Sequence, residues 1–291
     1  MKKIPTITLT RFGKEDLLNK RHKGSTMYSS VQLARKYLQY YLHASNGKGH
    51  GMHSPFVFQF ILHVLNNRSH YQPPGQIEAL RKQLLQDKRL LEIEDFGAGS
   101  RVAKTKQRSV SALAHSALKS KKYAQLLFRL VKHYKPNTIL ELGTSLGITT
   151  SYLAAANPSA TIMTIEGSSA VAAVAAENFS TLRCQNIGQR IGNFDDLLPS
   201  VIRHLSSIDL AYIDGNHRYQ PTINYFTQLL PVLHNDSILV FDDIHWSAEM
   251  EKAWEEIRQH PSVQCTVDIF FLGFVFFRKE FKVAQHFTVR F

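Results

Sequence analysis

Residues 138–156, TILELGTSLGITTSYLAAA, decide how the rest of the chain is interpreted. The run Thr138–Leu142 is short, apolar and rich in residues that favour β-structure, and the turn after it contains Gly143 and Gly147. Ile148–Ala156 then has the small and apolar residues of a helix. Strand, turn and helix together predict one βα unit, in which the free N–H groups of the first helical turn face a ligand.

Glu141, near the end of this strand, indicates which class of ligand the turn would bind. The carboxylate of Glu141 would repel a pyrophosphate, but it would accept hydrogen bonds from an amine or from sugar hydroxyls. The turn beside it consists of Gly143, Thr144, Ser145 and Gly147, with Leu146 between the last two. We therefore predict that Glu141 and these turn residues hold a small, cationic, nucleoside-like cofactor.

Composition and length exclude several classes of protein. The 291 residues are 44% hydrophobic and 20% charged, as in an ordinary globular protein. The two cysteines provide no framework for disulfides or zinc, and they fit a reducing compartment. The longest apolar run, residues 269–277, is far shorter than the roughly 20 residues that cross a bilayer, and no signal peptide is predicted. We expect a cytoplasmic protein that does not act at a membrane.

Positive charge is concentrated in the first half of the chain. Residues 27–135 carry 18 Lys and Arg against 5 acids, whereas residues 136–291 carry 10 against 16. We favour electrostatic complementarity between the two halves over an anionic or nucleic-acid partner, because no RNA-binding motif accompanies the charge. Nucleic acid is kept as an alternative partner, and a homodimer is left open.

The part of the chain before residue 105 is predicted to be helical, without the strand pattern of the second half. Residues 1–26 are interpreted as a basic, disordered tail, residues 27–104 as a helical N-terminal region, and residues 105–291 as the main α/β domain. Helices are predicted over residues 31–42, from Pro55 with Ser54 as N-cap, and over residues 77–91, 109–119 and 122–134. The segment Asp95–Ser100 is interpreted as a loop, and the basic residues after it as a solvated surface.

From Thr138 onward, strands and helices alternate. This pattern predicts a doubly wound, mostly parallel sheet with helices on both faces. The predicted strands are residues 138–142, 161–165, 187–191, 208–213 and 237–241, followed by a C-terminal antiparallel hairpin over residues 264–271 and 274–278.

Carboxylates stand at the ends of successive strands. They are Glu141, Glu166, Asp214, Asp242 and Asp243. Because the carboxyl ends of parallel strands meet at one crevice, these acids would repel one another without a cationic ligand or a metal. Glu166 also follows Gly147 by 19 residues, close to the offset at which an acid accepts hydrogen bonds from ribose hydroxyls.

This series resembles the class I S-adenosylmethionine-dependent methyltransferases over about residues 105–280. ELGTSLGITTSYLA resembles the first motif of that family, with Ser145 in place of its second glycine. IEGS resembles the acid of the second strand, and IGNFDDLLP resembles the loop that flanks the adenine. The resemblance implies a seven-stranded, Rossmann-like sheet and S-adenosylmethionine as cofactor. It adds Gly167, Asn193, Phe194 and Asp214 to the predicted cofactor-binding residues.

Two further segments are similar to the catechol and caffeoyl-coenzyme A O-methyltransferase branch. These segments are YIDGNHRY and VFDDIHW, residues 212–219 and 240–246. The similarity implies Asp214, Asp242 and Asp243 as ligands of Mg²⁺ or another divalent cation. It also implies Asp214 and His217 as catalytic residues, with His217 in the place of a lysine base. A purely structural role at a helix N-terminus is an equally good interpretation of His217.

The resemblance implies methylation of a hydroxyl on a small-molecule acceptor, with the divalent cation as an assisting group. A nucleic-acid methyltransferase and a non-catalytic S-adenosylmethionine-binding protein are the alternatives. A nicotinamide dehydrogenase is disfavoured, because the glycine spacing is G-x-x-x-G and not G-x-G-x-x-G. His245 and Trp246 are candidates for the wall of the acceptor pocket.

Overall fold

The computed structural model describes residues 27–67, 72–95 and 104–291. The tail over residues 1–26 and most of the loop predicted at Asp95–Ser100 lie outside these ranges, so both remain predictions. The helices before the sheet are α1 (Ser30–His43), α2 (Pro55–Phe60), which continues as a π-helical turn (Ile61–Leu65), α3 (Gly75–Leu84), α4 (Val110–Ala117) and α5 (Lys121–Tyr134). Serine side chains cap three of them: Ser29, Ser54 and Ser109 accept hydrogen bonds from backbone N–H groups of the first turn.

An antiparallel hairpin interrupts the helical region. Strand β1 (Leu90–Asp95) pairs with β2 (Lys104–Ser109), so the prediction of a helix as far as Leu91 is wrong. The alternation of apolar and acidic residues in β1 has the period of a strand, and Leu91 and Ile93 pack against the main core. The hairpin also spans the domain boundary predicted at residue 104.

The second half of the chain forms the predicted doubly wound sheet. Its elements are β3 (Thr138–Leu142), α6 (Ile148–Ala156), β4 (Thr161–Glu166), α7 (Ser169–Thr181), β5 (Ile187–Ile191), α8 (Phe194–Arg203), β6 (Ile208–Ile213), α9 (Tyr219–Leu229), a 3-10 turn (Leu230–Val232), β7 (Leu233–Asp242), α10 (Ala248–Gln259), β8 (Cys265–Asp268), β9 (Leu272–Phe276) and β10 (Gln285–Thr288). The strand order is β10-β8-β9-β7-β6-β3-β4-β5, and β9 runs antiparallel to both of its neighbours.

This topology confirms the predicted fold class and adds one strand to it. Strand β10 pairs in parallel with β8 at the edge of the sheet, which therefore has eight strands. The strand is short and polar, and for that reason its sequence did not indicate a strand. Helix α1 lies beside it: Tyr40 donates its hydroxyl hydrogen to the carbonyl of Val289, and Ser45 forms a β-bridge with the same residue.

The N-terminal helices share a core with the sheet. The ring of Phe60 lies 5.1 Å from that of Phe274 and 5.6 Å from that of Phe276. Arg129 is buried and donates from Nε to the carbonyl oxygen of Val64 at 2.7 Å. The opposite face of the sheet is covered by α8, α9 and α10 around a second apolar cluster. Among the described helices, none has the length and apolar character needed to cross a bilayer.

The strand order reverses between β3 and β6, and this switch point positions the site. Leu142 pairs with Ile213, and the carbonyl of Leu142 accepts a hydrogen bond from the N–H of Asp214 at 2.8 Å. The glycine turn after β3 therefore lies against the residue that ends β6. Open α/β sheets bind their ligands at such a point, outside the carboxyl ends of the strands.

Candidate functional site

A cavity of about 610 Å³ opens at this switch point. Its size falls within the range of small-molecule sites. The residues predicted for the cofactor that line it are Gly143, Ser145, Glu166, Gly167, Asn193, Phe194 and Asp214. The other lining residues include His217, Asp242, Asp243, Trp246, Ile93, Lys106, Arg108, Leu113 and Ser116.

The turn after β3 needs glycine at its first position. Gly143 has φ +103°, and a Cβ added there would collide with the carbonyl oxygen of Asp214. The N–H groups of Gly143 and Thr144 donate to the carbonyl of Ile165 at 3.0 and 3.3 Å, which holds the turn against β4. Ser145 also has a positive φ, +49°, so its N–H points across the turn. The backbone here forms the floor of the cavity.

Glu166 connects the two neighbouring turns. Its Oε2 accepts from the N–H of Ser145 at 2.8 Å, and its Oε1 accepts from the N–H of Ser168 at 3.1 Å. Burial raises the pKa of Glu166 above its ordinary value, although these backbone donors partly offset the effect. A carboxylate has about four acceptor positions, so two remain for hydroxyl groups of a ligand in the cavity.

Three residues predicted to contact the cofactor do not line the cavity. Glu141 is fully buried, and its Oε2 accepts from Thr150 Oγ1 at 2.5 Å and from Thr164 Oγ1 at 2.6 Å. Thr144 is buried behind the turn, where its hydroxyl pairs with that of Thr164. Gly147 begins α6. Glu141, Thr144 and Gly147 thus lie beneath the turn, and their predicted contacts with a cofactor remain predictions.

Burial has the largest effect on the pKa of Glu141. It raises the pKa of this carboxyl to about 8, against the opposing hydrogen bonds from the two threonines. The carboxyl is therefore mostly protonated at neutral pH.

The adenine-flanking segment is held at the start of α8. Asn193 is the N-cap, and its Oδ1 accepts from the N–H of Asp195 at 3.0 Å. The ring of Phe194 packs against Gly215, where a Cβ would collide with it, and edge-on against Tyr225 at 6.0 Å. A fixed aromatic ring thus stands at one end of the cavity.

The three predicted metal ligands meet at the other end. Tyr212 Oη lies 2.9 Å from Asp214 Oδ2 and 3.2 Å from Asp242 Oδ2, so its hydroxyl bridges two of them. Asp243 follows Asp242 with φ +52°, and its N–H donates to the carbonyl of Phe271 at 2.8 Å. The acids at the ends of β6 and β7 are therefore neighbours, as expected for adjacent parallel strands.

A buried lysine that was not predicted pairs with this cluster. Lys119 lies between α4 and α5, its side chain is fully buried, and its Nζ forms an ion pair with Asp242 Oδ1. The same Nζ is 3.9 Å from Asp243 Oδ1. The carbonyl of Lys119 accepts from Arg81 Nη1 at 2.7 Å, which fixes the backbone at this position. No local pattern distinguishes Lys119 from the other basic residues of the first half.

His217 stands beside Asp214 at the cavity wall, with 31% of its side chain exposed. Its Nε2 is 3.5 Å from Asp214 Oδ1. Desolvation alone would lower the pKa of His217, but the carboxylates of Asp214 and Asp243 outweigh it and raise that pKa. Burial alone would raise the pKa of Asp214, but His217 and Lys119 lower it to about 2. The carboxylate of Asp214 thus favours a proton on the facing imidazole of His217.

These residues do not fit a divalent metal as the structure arranges them. Within residues 27–67, 72–95 and 104–291, no three His, Cys, Asp or Glu side chains are grouped so that they could hold a metal ion. One oxygen of Asp242 is already paired with the Lys119 ammonium. A divalent cation needs several free carboxylate oxygens directed at one point. The ligand set Asp214, Asp242 and Asp243 is therefore not supported by the geometry.

His245 and Trp246, which were predicted to line the acceptor pocket, have different surroundings. Trp246 lines the cavity, whereas His245 is held between carboxylates outside it. Its Nδ1 is 3.1 Å from Glu251 Oε1, and its Nε2 is 2.8 Å from Asp268 Oδ2. Burial alone would lower the pKa of His245, but these two acids raise it to about 9. His245 therefore supports the loop after β7, and it does not line this cavity.

Strand β2 brings basic side chains to the cavity. Lys106 and Arg108 are exposed, as predicted for a solvated surface, but both also line the wall. Arg108 Nη2 donates to Ser116 Oγ of α4 at 3.0 Å. With Ile93 and Leu113, they give this end of the cavity an apolar side and a basic rim.

Comparisons with known proteins agree with this architecture. Residues 140–244 match a family model described as a methyltransferase domain. The SAH-bound methyltransferase PaMTH1 of Podospora anserina has a TM-score of 0.57 and 13% identity, covering 88% of this chain and 100% of that one. The O-methyltransferase of Bacillus cereus, in complex with SAH, has a TM-score of 0.53 and 18% identity, covering 72% of this chain and 93% of that one.

A relative at the level of sequence is the uncharacterised protein R132 of Acanthamoeba polyphaga mimivirus. It is 32% identical over 69 residues, which are 22% of this chain, and the match spans only 31% of the viral protein's length. The structural likenesses, at such low identity, establish the fold. Residues 140–244 are thus similar to a methyltransferase domain, and the chain has the fold of these two methyltransferases.

Proposed function

We propose that the protein transfers a methyl group from S-adenosylmethionine to a hydroxyl of a small-molecule acceptor. The observation that carries this proposal is the position of Glu166. Its carboxylate faces the cavity between two glycine-containing turns, with acceptor positions left over after its backbone hydrogen bonds. Two of the structural relatives are described as methyltransferases bound to SAH, which supports the same cofactor for this chain.

The cavity suits the parts of that cofactor. Glu166 would accept from the ribose hydroxyls, and Phe194 would pack against the adenine. The carboxylate of Asp214 favours the positive end of the molecule, because opposite charges attract strongly in a partly desolvated site. When bound, S-adenosylmethionine supplies an electrophilic methyl group. The protein's contribution is to hold the acceptor oxygen close and in line with it.

The acceptor must lose a proton, and His217 is the residue we propose to take it. The neutral imidazole is the form that accepts a proton, and Asp214 holds the ring and stabilises the cation that results. No step is assigned to a metal, because Lys119 already neutralises Asp242. The metal-assisted version of this reaction therefore has less support than a version that uses the side chains alone.

The acceptor we propose has an apolar body and an acidic substituent. Trp246 and Leu113 would contact the apolar part, and the basic rim of Lys106 and Arg108 would attract the acid. The same rim favours a nucleic acid as the second candidate acceptor. A steep loss of RNA affinity with rising salt is the signature of that alternative. Both cysteines are free thiols, in keeping with the cytoplasmic location that we propose.

Calorimetric titration with S-adenosylmethionine and S-adenosylhomocysteine tests the proposal. We expect the wild-type protein to bind both, and Glu166→Gln to weaken each affinity by about tenfold or more, because an amide accepts fewer hydrogen bonds from the ribose. Glu177→Gln is the matched control, since Glu177 is an exposed acid on α7 that pairs with Arg89. Failure of the wild-type protein to bind either compound contradicts the proposal.

Transfer itself is measured with a labelled methyl group and a panel of hydroxylated acids and phenols. Incorporation into one class of acceptor, lost in His217→Asn, is the expected result. Cofactor binding without transfer to any small molecule or RNA would favour the non-catalytic alternative.

A further inference from the structure

We propose that Lys119 takes the place of a divalent metal in this protein, so that its carboxylate cluster works without one. The inference deepens the proposed function and rests on it. It starts from a disagreement between the sequence and the structure. YIDGNHRY and VFDDIHW predict three acidic metal ligands, whereas the structure has a lysine ammonium among them.

The contacts of Lys119 are those of a permanent counter-ion. Its side chain has no exposed surface, and that of Asp242 is only 2% exposed. The ammonium pairs with Asp242 Oδ1 and lies 3.9 Å from Asp243 Oδ1, so one positive charge serves the adjacent acids. Burying two neighbouring carboxylates without a cation is costly, and Lys119 removes that cost.

Lys119 is also fixed in place by its backbone. Arg81 is buried and donates from Nη1 to the carbonyl of Lys119 at 2.7 Å. Arg81 is held in turn by Glu78, whose Oε1 is 2.9 Å from Arg81 Nε. Helices α4 and α5 continue on either side of the residue. The ammonium is therefore delivered to Asp242 from a rigid junction and not from a mobile surface chain.

A line of contacts joins this ion pair to the cavity. Asp242 accepts from Tyr212, and the same hydroxyl is within 2.9 Å of Asp214. Asp214 in turn lies against His217. Lys119 does not line the cavity, so it acts as a positioning residue. It holds Asp242 and Tyr212 in the arrangement that orients Asp214, and through it His217.

A divalent ion would have to displace this arrangement. Its ligands would be the oxygens that Lys119 and Tyr212 already occupy, and its charge would repel an ammonium a few ångströms away. We infer that a metal binds here only when the lysine is removed. Removal of the Lys119 ammonium is therefore expected to create a metal site.

Titration with Mn²⁺, followed by electron paramagnetic resonance of the free ion, tests the inference in the presence of S-adenosylhomocysteine. The wild-type protein is expected to show no saturable binding up to about 1 mM Mn²⁺, the weak end of the range for carboxylate sites in proteins. Lys119→Met is expected to gain one Mn²⁺ site per chain, and the added change Asp242→Asn to remove it again. Lys121→Met, an exposed lysine in the next helix, is the control and is expected to behave as wild type.

Saturable binding of one Mn²⁺ to the wild-type protein, abolished by Asp242→Asn, overturns the inference. Should Lys119→Met fail to fold, these two titrations still decide it. A folded Lys119→Met protein that gains no Mn²⁺ site also counts against the inference. Binding of S-adenosylhomocysteine is measured by calorimetry on the same samples. Its absence contradicts the proposed function, whereas the Mn²⁺ result bears only on Lys119.

Discussion

The two ends of the cavity are built by different means. At the cofactor end, consecutive backbone groups of two turns form the floor, and Gly143, Ser145 and Glu166 connect them. At the acceptor end, side chains from distant segments meet: Lys119 from the first half and Asp242 from the end of β7. The cofactor end therefore depends on the conformation of the backbone, whereas the acceptor end depends on the pairing of charged side chains.

This difference implies different weaknesses. The cofactor end is expected to fail when a side chain obstructs the turn, and to depend on charge only at Glu166. The acceptor end is expected to tolerate small changes of shape and to fail when a charge loses its partner. The following experiments test this contrast, in order of decreasing expected effect.

Gly143→Val places a side chain in the turn that forms the floor of the cofactor end. The left-handed backbone of Gly143 and the collision with the Asp214 carbonyl predict a loss of about 3 kcal/mol or more in the free energy of unfolding. We also expect calorimetry to detect no binding of S-adenosylhomocysteine. Gly75→Val is the control, because a Cβ at Gly75 meets no atom within 4 Å. A Gly143→Val protein with wild-type stability and affinity would contradict a backbone-built floor.

The pH dependence of stability probes the charges that support the acceptor end. His245 lies between Asp268 and Glu251, and Glu251 also accepts from Lys36 and Tyr28. The folded pKa of His245, about 9, is above its unfolded value, so its contribution is complete below about pH 6.5 and is lost as the pH rises through 9. We expect urea unfolding to show a decrease of up to about 3 kcal/mol over this interval.

In His245→Gln, this part of the pH dependence is expected to disappear, leaving a protein that is less stable at pH 6. The exposed His43, changed to Gln, is the control and is expected to keep the wild-type profile. Equal slopes for wild type and His245→Gln between pH 6.5 and 9 would show that the imidazolium makes no such contribution.

Tyr212→Phe removes the hydroxyl that bridges Asp214 and Asp242. Because the hydroxyl has one hydrogen to share between the two carboxylates, and its loss leaves them one donor fewer, we expect a decrease of about 1–2 kcal/mol in the free energy of unfolding. Methyl transfer is expected to slow, with the affinity for S-adenosylhomocysteine within about twofold of wild type. Tyr219→Phe, which removes an exposed hydroxyl that donates to Glu256, is the control. A selective loss of cofactor affinity would place Tyr212 at the other end of the cavity.

Phe194→Leu is expected to have the smallest effect. It keeps an apolar side chain but removes the flat ring, so the affinity for S-adenosylhomocysteine is expected to fall by about three- to tenfold. Calorimetry measures it, with Phe281→Leu, far from the cavity wall, as the control. An unchanged affinity would exclude stacking on this ring.

The sequence predicted the sheet and much of the cofactor end because both depend on local order. Strand, glycine turn and helix follow one another in the chain, and the carboxyl ends of parallel strands must meet. The full burial of Glu141 was not predicted because β3 is buried on both faces, so alternation does not indicate where its side chain points. Strand β1 was taken for a helix because its apolar residues continue a helical pattern.

Lys119 could not be predicted in this way. Its partner, Asp242, is distant in sequence, and a lysine between two helices, in a basic run with Lys121 and Lys122, is ordinarily solvated. Only the packing of the N-terminal helices on the sheet brings the two together. The same packing delivers Lys106 and Arg108 to the cavity, so the acceptor end depends on the tertiary structure.

The short outer strands of the sheet have a consequence for the behaviour of the protein at high concentration. Strand β5 has five residues and carries the exposed Arg190, and β10 has four residues beside α1. Short, charged or covered edges offer little template for the backbone of a second chain. Continuation of the sheet from one copy to the next is therefore hindered at both ends, and we expect the protein to resist edge-to-edge aggregation.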